Sequence, residues 1–474
     1  MALDFGIDFG TTNSACTGIQ NKRQLFNYGD EMGNPFPSII VIDRVTGQVF
    51  CGREAWRKRQ ELAESCEVIP SIKTLLGTNR TWRIAGKKWT PVEVTAEVFK
   101  GLKKRVKEGS AKKELTSAVV AVPVDFEPEK RASLRKAAAV AEVEITDFIS
   151  EPTAAIFSNY KAVGRHRLIA VVDWGGGTLD VSIVENRNGE ITELATNGIY
   201  MGGDNIDLKL AEWAHNQVLK NGQNSLAFEQ MTATARDKMI AECELAKKDL
   251  TYDDLVEISV INYGSLGDIS ISLDIDTFTK LIRYNIEDAV KCFENTVASA
   301  RTSIEELECV IMIGGSINIR PFEEKMREIC QDKIYIPTEA DWSVARGAAW
   351  LRITPGHYKI AQSIGVVMSD GSFFPLIDKG DTVIDKHTTS EFALVEESTT
   401  ANFTFSDKNL KTLGYLNIPT FGFFKEKINI ETIIDKDLIL RVTGKSQSRA
   451  KETSRTWSFG RVLLNYELPV PKKR

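Results

Sequence analysis

One pattern occurs twice in this chain, and it constrains the fold more than any other feature. Ile7-Asp8-Phe9-Gly10-Thr11-Thr12 is echoed by Val172-Asp173-Trp174-Gly175-Gly176-Gly177-Thr178. Each starts as an apolar strand, passes through an aspartate, an aromatic residue and glycine, and enters a turn of small residues. Strand-like runs resume after both turns, from Ala15 to Ile19 and from Val181 to Val184. Two strand–turn–strand hairpins, each with an acid at its entrance, predict a protein made of two related halves.

The chemistry of such a pair is specific. Glycine lets the backbone approach a ligand closely, and successive free N–H groups in a turn form an anion nest. Two nests facing each other across a cleft would grip a polyphosphate from both sides. Thr11, Thr12 and Thr178 offer hydroxyls to phosphate oxygens. Asp8 and Asp173 would hold a hydrated Mg²⁺ against it, since magnesium keeps its waters and needs few carboxylates. Asp180 supplies a third acid. Either hairpin alone reads equally well as an ordinary glycine turn; the pairing favours a ligand. A third turn, Gly314-Gly315-Ser316, sits between the apolar strand from Cys309 to Ile313 and a helical run from Pro321 to Cys330. That context suits a ligand at a backbone turn and fits a plain strand–helix connection equally well.

Around these turns, apolar strands alternate with helix-like stretches through the first two-thirds of the 474 residues, the α/β signature. Examples are the strand Ala118 to Val122, stopped by Pro123, and the helical spacing of Phe278, Leu281, Ile282, Ile286, Val290, Phe293 and Val297. Beyond Thr354-Pro355-Gly356 helical periodicity fades. Alternating runs such as Lys427 to Glu431 and Leu440 to Thr443 then predict half-exposed strands around a turn at Asp435-Lys436-Asp437. The expected organisation is therefore an α/β domain over 1–354, a linker over 355–362 and a β domain over 363–474.

Composition excludes several classes. A formal charge of −5 is wrong for a general nucleic-acid binder. No apolar run approaches the roughly 20 residues that span a bilayer, and the first residues lack the plan of a signal peptide. Seven scattered cysteines without a C-x-x-C pair, and only four histidines, argue against zinc and for a reducing cytoplasm. The basic stretch from Lys103 to Lys113 reads as a solvated helix end, and the tail 471–474 as a loose terminus.

The ordered set of motifs resembles the 70-kDa heat-shock chaperone family of the actin-like ATPase superfamily. Ile7 to Ser14 resembles its first phosphate loop, and Asp173 to Ser182 its second. Ile72-Lys73-Thr74-Leu75-Leu76-Gly77 is similar to the segment with its catalytic lysine. Val119 to Phe126 is similar to its Val-Val-x-Val-Pro-x-x-Phe strand, and Ser150-Glu151-Pro152-Thr153-Ala154-Ala155 to its connecting motif. Gly202-Gly203-Asp204-Asn205-Ile206-Asp207 resembles its Gly-Gly-x-x-Phe-Asp turn. The stretch from Glu244 to Thr251, Gly314-Gly315-Ser316, and Asp341 to Ala349 resemble its adenosine region.

The resemblance implies an actin-like ATPase fold of two lobes, followed by a β-sandwich-like domain, and a site for ATP or ADP with Mg²⁺. It places phosphates at Gly10, Thr11, Thr12, Asn13, Gly175, Gly176, Gly177 and Thr178, beside Gly202 and Gly203. It places Mg²⁺, mainly through water, at Asp8 and Asp173, with Asp180 near. It makes Lys73 the residue that orients the attacking water, and Glu151 and Pro123 the couplers of nucleotide state to domain rotation. Adenosine would lie among Glu244, Lys247, Lys248, Thr251, Gly314, Gly315, Ser316 and Asp341. Without the resemblance each keeps a plainer reading: Lys73 a surface lysine, Glu151 a helix start, Pro123 a strand stop, Lys247 and Lys248 a solvated helix face.

The departures are as informative. Trp174 stands where the family usually has leucine. Ile317-Asn318-Ile319-Arg320-Pro321 replaces Thr-Arg-Ile-Pro, so an arginine that stacks on the base is missing or displaced to Arg320. The stretch between Lys73 and Pro123 is short, which implies a trimmed peripheral subdomain. Arg352 to Gln362 lacks the acidic, leucine-rich linker, and the chain to Arg474 leaves no room for a helical lid.

The resulting expectation is a slow ATP-hydrolysing, cytoplasmic chaperone that binds an extended peptide or a specific client. Co-chaperone and nucleotide-exchange partners would accompany it, and neither nucleic acid nor membrane. A nucleotide sensor with little hydrolysis, a small-molecule kinase and a filament-forming protein of the same superfamily are the alternatives.

Overall fold

The computed structural model describes residues 3–21, 23–62, 65–109, 113–220, 226–353, 358–383, 386–448, 450–459 and 462–468. The start of the expected linker, 355–357, and the basic tail 471–474 lie outside them. The chain divides into two compact units. The first comprises Met1–Pro123, Ala132–Asn186 and Leu194–Ile353; the second comprises Val124–Arg131, Arg187–Glu193 and Thr354–Arg474.

The repeat seen in the sequence is a repeat of topology within the first unit. Strand Asp4–Asp8 runs parallel to Ser117–Val122, which runs parallel to Glu144–Ser150. On its other side Asp4–Asp8 pairs antiparallel with Asn13–Gln20. Strand Leu168–Trp174 has the same surroundings: Cys309–Ile313 parallel on one side and Leu179–Arg187 antiparallel on the other. In both sheets the aspartate strand is central and continues through its turn into a hairpin partner. These strands are near-continuous apolar runs because helices cover them; Val119, Val120, Ala121, Val310, Ile311 and Met312 are fully buried.

Small residues decide how closely the helices approach. Helix Ser343–Arg352 lies against helix Glu151–Ser158 and strand Asp4–Asp8. A Cβ added to Gly347 would stand 1.8 Å from the carbonyl oxygen of Ala154, and one on Gly6 would stand 2.1 Å from the nitrogen of Ala349. Buried Ala345, Ala348 and Ala349 complete the contact. Ser150 caps helix Glu151–Ser158 by accepting the N–H of Thr153, and Pro152 fits its first turn. Glu151 is thereby fixed at the head of a helix clamped from behind.

The second half of this unit is built on helices Gly203–Lys220, Ala233–Asp249 and Ile275–Ser299, with the hairpin Leu255–Val260 and Ile269–Asp274 beside them. On the first half, helix Gly52–Leu62 and the three-stranded sheet of Ile40–Asp43, Val49–Cys51 and Cys66–Ile69 form a flank, and that helix packs on Ala233–Asp249. Between Lys73 and Pro123 lie the small hairpin Trp82–Ile84 and Lys87–Trp89 and the helix Pro91–Gly109. Among the described residues no helix is long and apolar enough to cross a membrane.

The second unit is β-rich. One four-stranded antiparallel sheet has the order Phe373–Ile377, Ile364–Val367, Thr400–Asp407, Thr412–Pro419. The other has the order His387–Ala393, Lys427–Ile434, Leu440–Ser446, Arg455–Phe459. Their inner faces interlock: Phe405 stacks on Trp457 at 4.6 Å, and a Cβ on Gly414 would sit 2.6 Å from the Trp457 ring. Residues 190–192 pair with 465–467 of strand Leu464–Glu467, whose residues 464–466 pair on the other side with Tyr358–Ile360.

The Gly347 contact yields a direct test. Gly347→Ala would push helix Ser343–Arg352 off helix Glu151–Ser158, a backbone clash that no rotamer relieves. Overpacking of this kind costs about 1–3 kcal/mol. Thermal denaturation is expected to show a lower midpoint for the variant, with the second unit's β signal by circular dichroism unchanged before the transition.

Candidate functional site

The two repeated turns meet. A Cβ on Gly176 would lie 2.2 Å from Thr12 Oγ1, and one on Gly177 would lie 2.9 Å from Thr11 Cγ2. The absence of side chains at these glycines allows the two turns to approach this closely. Within the first turn, a Cβ on Gly10 would strike the carbonyl oxygen of Asn13 at 1.9 Å. Thr12 Oγ1 also donates to Asp204 Oδ2 at 3.0 Å, so a side chain from each half is hydrogen-bonded across the cleft.

Two further turns close on the second of these. The N–H of Gly203 donates to the carbonyl of Gly175 at 3.1 Å, and that of Asp204 to the carbonyl of Gly176 at 2.8 Å. Ser316 Oγ donates to the carbonyl of Gly175 at 2.8 Å. The structure thus gathers the Gly10–Asn13, Gly175–Thr178, Gly202–Gly203 and Gly314–Ser316 segments, which are far apart in sequence.

Beneath the turns lies a buried charge cluster. Lys73 stands in the short turn Ile72–Leu75, and the left-handed backbone of Ser71 (φ 54°) aims that turn inward. Its Nζ donates to Glu151 Oε1 at 2.8 Å, with both side chains buried. The plain reading of Lys73 as a surface residue is therefore wrong, whereas Glu151 both starts a helix and serves as a partner.

Burial, then the negative charge of Glu151, raises the Asp8 carboxyl to about 7 against the pull of Lys73. Burial also drives Asp173 well above the carboxylate range, with Glu151, Asp8 and Asp180 adding to it. Burial works to lower Lys73, but Glu151, Asp8 and Asp180 outweigh it and hold the ammonium above its usual pKa. Asp180 faces Asp173 in the hairpin register. Four acids thus act on one ammonium in a desolvated place, which suits an added cation. Among the described residues no three His, Cys, Asp or Glu side chains are grouped to hold a metal directly.

The residues expected near adenosine lie on helix Ala233–Asp249, just past its end, and on the 314–316 and 340–342 turns. Lys248 pairs with Glu244 at 2.7 Å, and Thr251 Oγ1 donates to the carbonyl of Asn318. Asp341 is exposed at the surface of its turn, and partial desolvation raises its pKa against the influence of Lys248. Lys247 turns the other way: it donates to Asp207 Oδ2 at 2.7 Å and to the carbonyl of Gly203 at 3.2 Å. It braces the Gly202–Gly203 turn. Arg320 donates to Asp254 at 2.8 Å and to the carbonyl of Asp253, so its guanidinium is engaged beside the Asp253–Asp254 turn.

Three residues escaped the sequence reading. Asp204 and Asp207 lie inside the Gly202–Asp207 motif, but only the fold shows that Asp204 reaches Thr12 and that Asp207 reaches Lys247. Arg59, on helix Gly52–Leu62, pulls the pKa values of Asp204, Asp237 and Glu244 down from the opposite flank. Nothing in its local sequence announces that role, because its neighbours belong to distant elements.

Asp8 gives a pH test. Its folded pKa is about 7 against an ordinary 3.8, so burial of the charged form opposes folding. The penalty is absent below pH 3.8, grows above it and is complete above 7. In nucleotide-free protein at pH 8, Asp8→Asn is expected to raise the melting midpoint by about 2–4 °C, the effect of about 1 kcal/mol. The gain should shrink as the pH falls toward 5.

Comparison with known proteins identifies the family. The family model described as Hsp70 protein matches residues 78–459. The chaperone protein DnaK of Mycoplasmopsis pulmonis is 30% identical, over 73% of this chain and 57% of its own length. The chaperone protein DnaK of Thermosipho melanesiensis is 28% identical, over 98% of this chain and 81% of its own. The chain thus spans little more than half the length of the first relative and four-fifths of the second. On the strength of the family match across most of its length, the chain belongs to the Hsp70 family.

Proposed function

We propose that this protein is a chaperone that binds ATP with Mg²⁺ and hydrolyses it slowly. Nucleotide in the first unit would regulate the hold of the second unit on an extended peptide or a protein client. The observation that carries this reading is the meeting of two glycine turns above a buried Lys73–Glu151 pair flanked by Asp8 and Asp173. Hsp70 proteins are ATPases, which supports the same assignment.

In this reading the amides and hydroxyls of Gly10, Thr11, Thr12, Asn13 and residues 175–178 hold phosphate oxygens. Asp8 and Asp173 hold a hydrated Mg²⁺, which when bound would neutralise phosphate charge. Lys73, its ammonium oriented by Glu151, orients the attacking water and offsets charge that develops on the terminal phosphate. Fixed charge in a dry site supplies most of the acceleration of such a reaction. Glu244, Lys248, Thr251, Gly314, Gly315, Ser316 and Asp341 border adenosine, and Lys247 supports the Gly203 turn.

Two neighbouring loops of the second unit support a peptide site. The N–H of Leu394 donates to the carbonyl of Glu426, that of Lys425 to the carbonyl of Leu394, and that of Thr420 to the carbonyl of Thr399. Glu426 is buried and accepts the N–H groups of Phe421 and Gly422. On this rigid base Val395, Phe423 and Phe424 are half or more exposed, which favours an apolar peptide segment. The co-chaperone and exchange partners of such proteins, and a cytoplasmic location consistent with seven unpaired cysteines, complete the proposal.

A second reading, a nucleotide sensor with little hydrolysis, is favoured by the engagement of Arg320 with Asp254, which leaves the base without that arginine. Calorimetry and single-turnover hydrolysis decide between them. The expected result is ATP binding with hydrolysis that Lys73→Met slows by about 10²-fold or more, with binding changed far less. Because the substitution leaves Glu151 without its ammonium, at a cost of about 3–5 kcal/mol, the K73M/E151Q pair serves as the folding control. Binding without turnover in the wild type would establish the sensor; no binding would end both readings.

For the second unit, a fluorescent apolar peptide should bind by anisotropy. Phe423→Ser together with Phe424→Ser should weaken it about fivefold or more, in line with the loss of apolar contact. Unchanged affinity would remove these loops from the site.

A further inference from the structure

Trp174 is the aromatic residue of the second repeat, between Asp173 and Gly175. Its side chain is fully buried and is among the largest so enclosed. The indole Nε1–H donates to the carbonyl of Met201 at 3.1 Å, immediately before the Gly202–Gly203 turn. The ring meets Phe322 edge to face, with centroids 4.4 Å apart and planes at 75°. Phe322 lies in helix Arg320–Cys330, directly behind the 314–319 turn. The backbone of Trp174 is also closely approached: a Cβ on Gly314, which holds φ at +84°, would lie 2.6 Å from the Trp174 carbonyl oxygen. One residue therefore touches the bases of three turns.

The matching position of the first repeat is different. Phe9 stacks on Phe99 at 5.4 Å with planes 6° apart and has no donor. It fills space without tying one turn to another. The N–H bond of Trp174 is the element the second repeat adds.

We propose that Trp174 is a positioning residue that locks the phosphate turn 175–178 to the Gly202–Gly203 turn and the adenosine turn 314–316, so that grip on phosphates and grip on adenosine are coupled. The proposal rests on the assignment of this cleft to a nucleotide. A buried indole N–H paired with a carbonyl stabilises its arrangement, and its removal leaves the Met201 carbonyl without that donor. The adenosine turn keeps the bond from Thr251 to the carbonyl of Asn318, and Ser316 still joins it to the carbonyl of Gly175. Loosening should therefore fall on the phosphate side first.

The test uses the full chain with Trp174→Phe, which keeps an aromatic ring and deletes the N–H, and Trp174→Leu, which also removes the ring. Titrations with ADP and with adenosine give the ratio of their affinities. Both variants are expected to fold, to keep the wild-type affinity for adenosine within about twofold, and to lose about tenfold in the ADP-to-adenosine ratio, a usual size for coupling between sites. Amide exchange in nucleotide-free protein should quicken at residues 175–178 and 202–204 without a matching change in global unfolding. A parallel loss of ADP and adenosine, or an unchanged ratio with unchanged exchange, would overturn the role of Trp174 and leave the nucleotide assignment intact. A wild-type chain that binds neither ligand would overturn the assignment and the role together. Should Trp174→Leu not fold, Trp174→Phe alone decides, since it keeps an aromatic ring in the buried site.

Discussion

The first unit depends on one buried ion pair. A carboxylate and an ammonium 2.8 Å apart, both out of water, make a poor stabiliser, because desolvation can exceed their mutual attraction. Here the difficulty is greater, since Asp8 and Asp180 act on the same ammonium and half-buried Asp173 stands beside them. A chain selected for stability alone would fill this place with apolar side chains. The surrounding scaffold instead holds it open: Ser71 in a left-handed conformation aims Lys73 inward, and a capped, clamped helix presents Glu151. Charge retained against its own cost belongs where a charged ligand completes it.

Close approach is the second constraint. Three segments converge on the turn at residues 175–178, and they do so because Gly176, Gly177 and Gly203 carry no side chain. The glycines set distances, and the bonds from Gly203, Asp204 and Ser316 hold them. The same device works in the support layer, where Gly347 and Gly6 bring helix Ser343–Arg352 onto the backbone of its neighbours. The turns can be rigid because the layer behind them leaves no slack.

What was legible in the sequence follows from the range of each interaction. The strand Cys309–Ile313 and the helices Arg320–Cys330 and Ile275–Ser299 were readable from local apolar runs and spacing, as were the two hairpins. The family resemblance supplied Lys73 and Glu151, which no local pattern marks: 78 positions separate them, and burial alone makes their contact important. Lys247 shows the limit of carrying a role by position, since its ammonium is committed to Asp207 and Gly203. Arg59 shows the limit of reading motifs, since its influence on Glu244 comes from packing between distant helices. Nor does any composition shift mark 124–131 and 187–193, which group with the C-terminal residues.

The two halves share a topology and differ in the side chains that matter, and the difference has a physical reason. Opposite Asp8 in its hairpin stands Ala15; opposite Asp173 stands Asp180. The first half brings Lys73 with Glu151, and the second brings the additional acid. A symmetric site would place equal charge on both sides of a bound polyphosphate and give its two ends the same field. The phosphoryl transfer proposed for this site has a direction, with the attacking and leaving oxygens in line on opposite sides of the transferred group. Duplicated turns offer two equivalent grips, and divergence of the residues behind them supplies the polarity. The aromatic position follows the same course, with Phe9 packing quietly in one half and Trp174 bonded to Met201 in the other.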